Sequence, residues 1–359
     1  MIAIKLIAGF VLLVLGAESL VRGASKIAAA VGISPLIIGL TVVSFGTSAP
    51  ELAVSAGSAL HGNADIAVGN VVGSNILNIL FILGLSSLFI PLVVHQQIVR
   101  LDVPIMIGAS LLTMLFAWDG NIRWWEGAIL LAVGIWYIVF LIRLSKKEKN
   151  KGVLEDYEAE YGEKNKPKKG RAWVQPMFVL AGLGLLLLGS KFLVEAAVNI
   201  AQAYGVSELI IGLTIIAIGT SLPEAATSII ASVRKAEDIA VGNAVGSNIF
   251  NLLFILGLTA IIAPGGVPVN RAAIDFDIPF MTAVAVACLP FFLHGYRLDR
   301  WKGLVFLFYY LAYTGFLILK STQNGSFDIY KDAMVWFVVP LTLLTMVGMM
   351  VQELRKRRR

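Results

Sequence analysis

The sequence predicts an all-α, multi-pass membrane protein in which two inverted repeats of five transmembrane helices are followed by an eleventh helix. Three observations support this fold class. Hydrophobic residues make up 58% of the 359 residues and charged residues only 14%, whereas a soluble domain carries about 25% charged residues. Apolar stretches of about 20 residues, the length that crosses a bilayer, recur along the chain. One long segment also occurs twice.

Eleven apolar stretches are predicted to cross the membrane. They cover residues 2–27, 34–60, 65–90, 102–118, 124–144, 173–203, 206–232, 238–263, 276–294, 301–320 and 333–352. A long polar segment after the fifth stretch divides the chain. The predicted domains are a first membrane repeat at 1–144, a cytoplasmic linker at 145–172, a second, inverted repeat at 173–320, and an extra helix with a basic tail at 333–359.

The net charge of +6 is distributed as in a membrane protein and does not indicate a nucleic-acid partner. Basic residues cluster between Lys146 and Arg171 and again at Arg355–Arg359, directly after apolar stretches. This distribution is typical of the cytoplasmic segments of membrane proteins. The N-terminus is therefore predicted outside and the C-terminus in the cytoplasm. The single cysteine, Cys288, excludes a disulfide within one chain.

The repeated segment begins with GTSAPE at Gly46 and with GTSLPE at Gly219. The offset is 173 residues, and 24 of 39 aligned positions are identical. Five predicted helices separate equivalent points, and because five is odd, the second copy must cross the membrane in the opposite direction. Inverted repeats of this kind build many secondary transporters, with the binding site where the repeats meet. The repeat therefore predicts a transporter.

Glu51 and Glu224 occupy equivalent positions in the middle of two predicted spans. An ionised carboxylate is costly in hydrocarbon, so an acid at this depth indicates a functional site. Pro50 and Pro223 precede them, and each proline removes one backbone N–H. The carbonyl groups expected to be freed lie near Ser44, Thr47, Ala217 and Thr220.

The motif GSNxxN adds further oxygen atoms on the next helix of each copy. Ser74 and Asn78 are four residues apart, as are Ser247 and Asn251, so each pair shares a helix face. Together with the carboxylates and carbonyls they predict an all-oxygen site. Calcium binds about 6–8 oxygen atoms, and the lack of matched Cys or His residues argues against zinc or copper.

The motifs GTSxPE and GSNxxN, present in two inverted copies, closely resemble the alpha repeats of the calcium/cation antiporter superfamily. Within it they are most similar to the sodium/calcium exchanger type, including compact prokaryotic members. The resemblance covers the first ten helices. It implies a prokaryotic plasma-membrane protein that exchanges Na⁺ for Ca²⁺, typically three sodium ions inward for one calcium outward. It implies no cofactor besides the transported ions, and sliding of helices 1 and 6 across a fixed core.

The resemblance also implies a role for each motif residue. Glu51 and Glu224 would be shared ligands of calcium and sodium, and the carbonyls of Thr47 and Thr220 would bind calcium. The residues expected around the flanking sodium positions are Ser48, Ser221, Ser74 and Ser247, with Asn78 and Asn251 between them. Many relatives, notably the potassium-dependent branch, carry aspartate where Asn251 stands, so potassium is predicted to be unnecessary.

Three alternatives stay open at this point. The first is a proton/calcium or other divalent-cation antiporter on the same scaffold. The second is a membrane-embedded hydrolase with Ser48 or Ser221 as its nucleophile, which the symmetry disfavours because catalytic roles are normally unequal. The third is a passive cation channel, whose flux would need no counter-ion.

Overall fold

The computed structural model describes residues 2–31, 33–147, 174–204, 217–322, 332, 334, 336 and 339–357. Its helices are α1 (Ile2–Val31), α2 (Pro35–Thr47 and Ala49–Leu60), α3 (Ala64–Phe89), α4 (Ile98–Ala117), α5 (Trp124–Lys147), α6 (Val174–Ala203), α7 (Ala217–Thr220 and Leu222–Val233), α8 (Glu237–Ile262), α9 (Ala273–Leu293), α10 (Arg300–Ser321) and α11 (Val339–Arg357). Within these ranges, eight helices are long and apolar enough to cross a membrane, and α2, whose halves are bent by 45°, makes a ninth.

The predicted all-α membrane fold is confirmed, and most predicted spans agree with the helices to within a few residues. Helices α4 and α9 begin four and three residues earlier than predicted, and each opens with a π-helical turn, Ile98–Asp102 or Ala273–Asp277. These wide turns shift the hydrogen-bond register just before Pro104 and Pro279, which have no N–H to donate.

Parts of several predicted segments lie outside the described residues. The longest are the linker from position 148 onward, residues 206–216 of the seventh predicted span, and most of the start of the eleventh. Of the eleventh, the structure describes α11, which packs against α9. Tyr309 of α10 and Thr342 of α11 share a hydrogen bond.

Two short antiparallel ribbons show that the repeats are inverted. Strand β1 (Leu92–Val93), after α3, pairs with β4 (Arg297–Leu298), after α9. Strand β2 (Asn121–Ile122), after α4, pairs with β3 (Val267–Pro268), after α8. Because α4 separates β1 from β2, the two ribbons lie at opposite membrane faces. The loops after α3 and α8, which are equivalent in the repeats, therefore face opposite sides.

A side-chain hydrogen bond connects each ribbon to the start of a central helix at the same face. Glu237, at the start of α8, accepts a hydrogen bond from the Val93 N–H at 2.7 Å. Asp65, at the start of α3, accepts one from the Asn270 side chain at 2.8 Å. We call the side with the α7–α8 turn and the β1–β4 ribbon the Arg234 face. The side with the α2–α3 turn and the β2–β3 ribbon is the His61 face.

Helices α1 and α6 form a close pair along their lengths. Glycines allow the contact, because a Cβ atom at Gly16 would lie 2.8 Å from the Gly182 carbonyl oxygen, and one at Gly189 would lie 2.8 Å from that of Gly9. The two helices therefore pack backbone to backbone, as small residues permit in membranes.

Helices α3 and α8 lie at the centre of the molecule, and most of their residues are buried. Gly246 brings α8 against the first half of α2, because a Cβ atom at this position would collide with the Ser44 hydroxyl. Each central helix contains a π-helical turn, which begins at Asn78 in α3 and at Asn251 in α8. The two GSNxxN motifs therefore meet the broken helices α2 and α7 inside the protein.

Candidate cation site

The helix breaks in α2 and α7 position the two acidic residues. Ser48 and Ser221 interrupt their helices with ψ angles of 9° and 8°, and the prolines then begin the second half of each helix. Glu51 and Glu224 lie in the first turns of these second halves. Both are buried, with 0% and 1% of their surfaces exposed.

Each glutamate is held by a serine from the opposite repeat. Ser221 Oγ donates to Glu51 Oε1 at 2.8 Å, and Ser48 Oγ donates to Glu224 Oε1 at 2.9 Å. Ser74 joins the first of these contacts, 3.4 Å from Glu51 Oε1 and 3.0 Å from Ser221 Oγ. The symmetric exchange places both carboxylates between the repeats, which the sequence pattern predicts.

Several buried oxygen atoms of this cluster have no hydrogen-bond partner. They are Oε2 of Glu51, Oε2 of Glu224, Oδ1 of Asn78, Oδ1 of Asn251 and Oγ of Ser247. Buried polar atoms in proteins are nearly always paired, so a group of unpaired oxygens needs an explanation such as a bound ion. Four of the five atoms are carboxylate or amide oxygens, which accept hydrogen bonds and are also suitable ligands for a cation.

Asparagines outside the set of predicted ligands surround the glutamates. Asn70 Nδ2 donates to the Glu51 carbonyl at 3.1 Å, and Asn243 Nδ2 donates to the Glu224 carbonyl at 3.3 Å. Their Oδ1 atoms accept from the hydroxyls of Thr220 and Thr47, at 3.1 and 3.2 Å. Asn70 and Asn243 occupy the same position of the two copies. A polar residue repeated inside a predicted span could have indicated their role.

A second asparagine pair orients the predicted ligands Asn78 and Asn251. Asn78 Nδ2 donates to Asn248 Oδ1 at 2.9 Å, and Asn251 Nδ2 donates to Asn75 Oδ1 at 3.0 Å. Each amide nitrogen is occupied in this way, which leaves the amide oxygen as the free atom. Neither Asn75 nor Asn248 was selected from the sequence, although both belong to the repeated GSN motif.

The carbonyls that the prolines deprive of a helical partner lie next to Thr47 and Thr220. The Ser44 carbonyl accepts the Ser48 N–H at 3.0 Å, so Pro50 does not release this particular carbonyl. A proline removes the bond to the carbonyl four residues earlier, which is that of Gly46 or Gly219. The Gly219 carbonyl instead accepts from Ser190 Oγ of α6 at 2.6 Å.

The remaining predicted residues lie on the same elements. The Ser44 hydroxyl, fully buried, donates to the Gly39 carbonyl at 2.6 Å and lies 3.2 Å from that of Asn243. Ala217 begins the short helix that ends at Thr220. Among the residues that the structure describes, no three His, Cys, Asp or Glu side chains form a metal-binding group. The site is thus built from two carboxylates and neutral oxygens.

The inverted membrane repeats and the oxygen-lined site between them define a multi-pass membrane transporter, not an enzyme. The chain belongs to the sodium/calcium exchanger protein family, whose profile matches residues 1–143 and 174–319. Antiport of calcium or related cations is the activity of this family. The hydrolase alternative is therefore wrong.

Relatives of the chain include three prokaryotic proteins. It is 40% identical over 320 residues to the putative antiporter CaxA of Alkalimonas amylolytica, covering 89% of this chain and 98% of the relative. It is 40% identical to the inner membrane protein YrbG of Escherichia coli, covering 79% and 87%. It is 31% identical to the sodium/calcium exchanger MaX1 of Methanosarcina acetivorans, covering 86% and 96%.

The fold also matches a solved structure. The sodium-calcium exchanger NCX_Mj superimposes with a TM-score of 0.73 at 26% sequence identity, over 87% of this chain and 98% of that chain. The predicted resemblance to the calcium/cation antiporter superfamily is therefore confirmed.

Proposed function

We propose that this protein exchanges sodium for calcium, and that Glu51 and Glu224 are the ligands for which the two ions compete. The observation that carries the proposal is the pair of buried carboxylates, each with one oxygen paired and one unpaired. Two carboxylates carry two negative charges, which one Ca²⁺ or two Na⁺ neutralise. Competing ions can therefore alternate while the net charge of the site is unchanged.

The neutral oxygens fit the same ions. Calcium binds about 6–8 oxygens at roughly 2.3–2.6 Å, and the unpaired amide and hydroxyl oxygens add to the carboxylates without adding charge. We assign the carbonyls of Thr47 and Thr220 to the calcium position. Ser48, Ser221, Ser74 and Ser247 are assigned to the flanking sodium positions. The carbonyls of Ser44 and Ala217 are assigned there too, because a carbonyl that accepts one N–H, as that of Ser44 does, has a second lone pair for an ion.

Potassium is not required in this proposal. Asn251 and Asn78 both present an amide where a third carboxylate would add charge, and each amide nitrogen is bound to a neighbouring asparagine. A site with only two acids has no spare negative charge for a potassium ion carried together with calcium. The physiological direction that we propose is calcium extrusion driven by sodium entering the cell.

The test is calcium uptake into sodium-loaded vesicles that contain the purified protein. We expect ⁴⁵Ca²⁺ uptake that requires internal sodium, persists without potassium, and is abolished by Glu51→Gln and by Glu224→Gln. Each substitution keeps the volume of the side chain and removes one charge. Uptake that ignores sodium and follows a pH gradient would instead assign the protein to proton/calcium exchange. Flux that needs no counter-ion would indicate a channel.

Asp102 provides a matched control because it is another buried acid, but on α4. It accepts hydrogen bonds from the Tyr137 hydroxyl at 2.9 Å and from the Gln97 amide at 3.4 Å, so its role is explained by these contacts. Asp102→Asn should retain sodium-dependent uptake. Loss of uptake in this variant, with the same folded yield, would mean that removal of any buried acid disables transport.

A further inference from the structure

The α1–α6 pair sits asymmetrically on the two broken helices. Helix α1 packs along Leu222–Val233, the second half of α7, whereas α6 makes no comparable contact with Ala49–Leu60, the second half of α2; both α2 and α6 lie within the described ranges. The inverted repeat makes these two contacts equivalent. Helix α1 therefore covers the second half of α7, which leads to the Arg234 face, whereas α6 does not cover the second half of α2 in the same way.

An ion pair marks this contact. Glu18 of α1 accepts from Arg234, in the turn between α7 and α8, with nitrogen–oxygen distances of 2.6 and 2.9 Å. Arg22, one turn further along α1, contacts the same carboxylate at 2.5 Å. The Glu18 side chain is only 19% exposed, so the pair lies partly under the protein surface and connects α1 to the core helices.

The opposite face has no matching pair of charges. The repeat offset of 173 residues relates Glu18 to Lys191 on α6, and Arg234 to His61 in the turn between α2 and α3. Neither Lys191 nor His61 carries a negative charge, and the acid one turn further along α6, Glu195, is paired with Lys5 of α1. Closure at the His61 face would therefore bring together two side chains that do not attract each other.

We infer that the Glu18–Arg234 ion pair is an electrostatic latch that favours closure at the Arg234 face, and that the second repeat lacks the equivalent latch. The inference rests on the proposed exchange by alternating access, in which α1 and α6 move across the core. The latch biases the two-state equilibrium because it exists in only one of the states. A partly exposed ion pair shifts such an equilibrium about two- to five-fold.

The test is the rate at which a membrane-impermeant thiol reagent labels position 226 from the Arg234 face. Ala226 lies half-buried on the second half of α7 and packs against the cluster that contains α1 residues, so movement of α1 away from α7 should speed the reaction of a thiol there. All variants carry Ala226→Cys, together with Cys288→Ser to remove the native thiol. Labelling is measured in oriented vesicles without calcium and needs no transport, so the result is independent of the ⁴⁵Ca²⁺ assay.

We expect Glu18→Gln and Arg234→Gln each to raise the labelling rate about two- to five-fold. The exchanged pair Glu18→Arg with Arg234→Glu should return the rate toward the original value. Lys191→Glu with His61→Arg installs a latch at the His61 face and should raise the rate by a similar factor.

The matched control is the other ion pair of α1. Lys5 contacts Glu195 at 2.6 Å, and this pair joins α1 to α6 and not to the core, so Lys5→Met should leave the labelling rate unchanged. Unchanged labelling in Glu18→Gln and Arg234→Gln would overturn the latch. So would an equal increase in Lys5→Met, which would mean that any loosening of α1 exposes position 226.

Discussion

The hydroxyl of Ser190 on α6 donates a 2.6 Å hydrogen bond to the carbonyl of Gly219 at the break in α7. Pro223 deprives this carbonyl of its helical partner, and Ser190 replaces the missing donor. The repeat equivalent of Ser190 is Ala17 on α1, which has no hydroxyl. The two otherwise similar halves of the site are therefore held differently.

Ser190→Ala should weaken calcium binding. The substitution leaves the Gly219 carbonyl buried and unpaired, at a cost of about 1–3 kcal/mol, directly beside Thr220. We expect the calcium concentration that gives half-maximal ⁴⁵Ca²⁺ uptake to rise about tenfold. Ala17→Ser, at the equivalent place in the first repeat, is the control and should not weaken binding. An unchanged affinity in Ser190→Ala would show that another donor serves Gly219.

The asparagines behind the glutamates should affect binding although they are not ligands in our proposal. Asn243→Ala removes the donors to the Glu224 carbonyl and the Ser228 hydroxyl. Loss of such supporting contacts typically lowers metal affinity 10–100-fold. The loss in calcium affinity is measured as a smaller increase in unfolding temperature when calcium is added. Asn199→Ala is the control, because that amide is exposed and bonds only to the Glu195 carbonyl on its own helix. Equal stabilisation by calcium in both variants would contradict this role for Asn243.

Lys302 should be a major contributor to stability. Its ammonium group is fully buried and donates to the carbonyls of Phe291, His294 and Arg297 at 2.9, 2.6 and 2.6 Å. These carbonyls lie at and beyond the end of α9, where a positive charge is favourable. Lys302→Met should lower the free energy of unfolding by about 2 kcal/mol or more, measured by thermal unfolding in detergent.

Lys320→Met is the matched control for this measurement. Lys320 lies at the exposed end of the same helix and approaches the Phe316 ring at 5.8 Å, an interaction worth about 0.5–1 kcal/mol at exposed sites. Its loss should lower the unfolding temperature less than the loss of Lys302. A similar decrease in the two variants would mean that the carbonyl contacts of Lys302 add little.

The orientation predicted from the basic residues can be tested with two single cysteines in a Cys288→Ser background. Arg297→Cys places a thiol on β4 at the Arg234 face, which is predicted to be cytoplasmic. His61→Cys places one in the exposed turn of the opposite face. In intact cells an impermeant reagent should label only the second variant. The reverse result would place the C-terminus outside and contradict the charge-based topology.

Much of the architecture could be predicted from local and periodic features of the chain. Apolar stretches define the spans because the bilayer requires every backbone polar group to be bonded within its helix. The 173-residue repeat, with an odd number of helices between copies, requires inversion. Glu51 and Glu224 could be selected because a carboxylate in a span has few purely structural explanations.

The partners of each side chain were decided only by the tertiary structure. Ser48 bonds to Glu224 and Ser221 to Glu51, although each serine is three residues from the glutamate of its own copy. Neither the bond from Ser190 to Gly219 nor the ion pair from Glu18 to Arg234 follows from helical spacing. The two copies determine which residues are equivalent, whereas the contacts depend on how α1 and α6 lie across the core. Packing between distant helices sets that position, and no local pattern in the sequence encodes it.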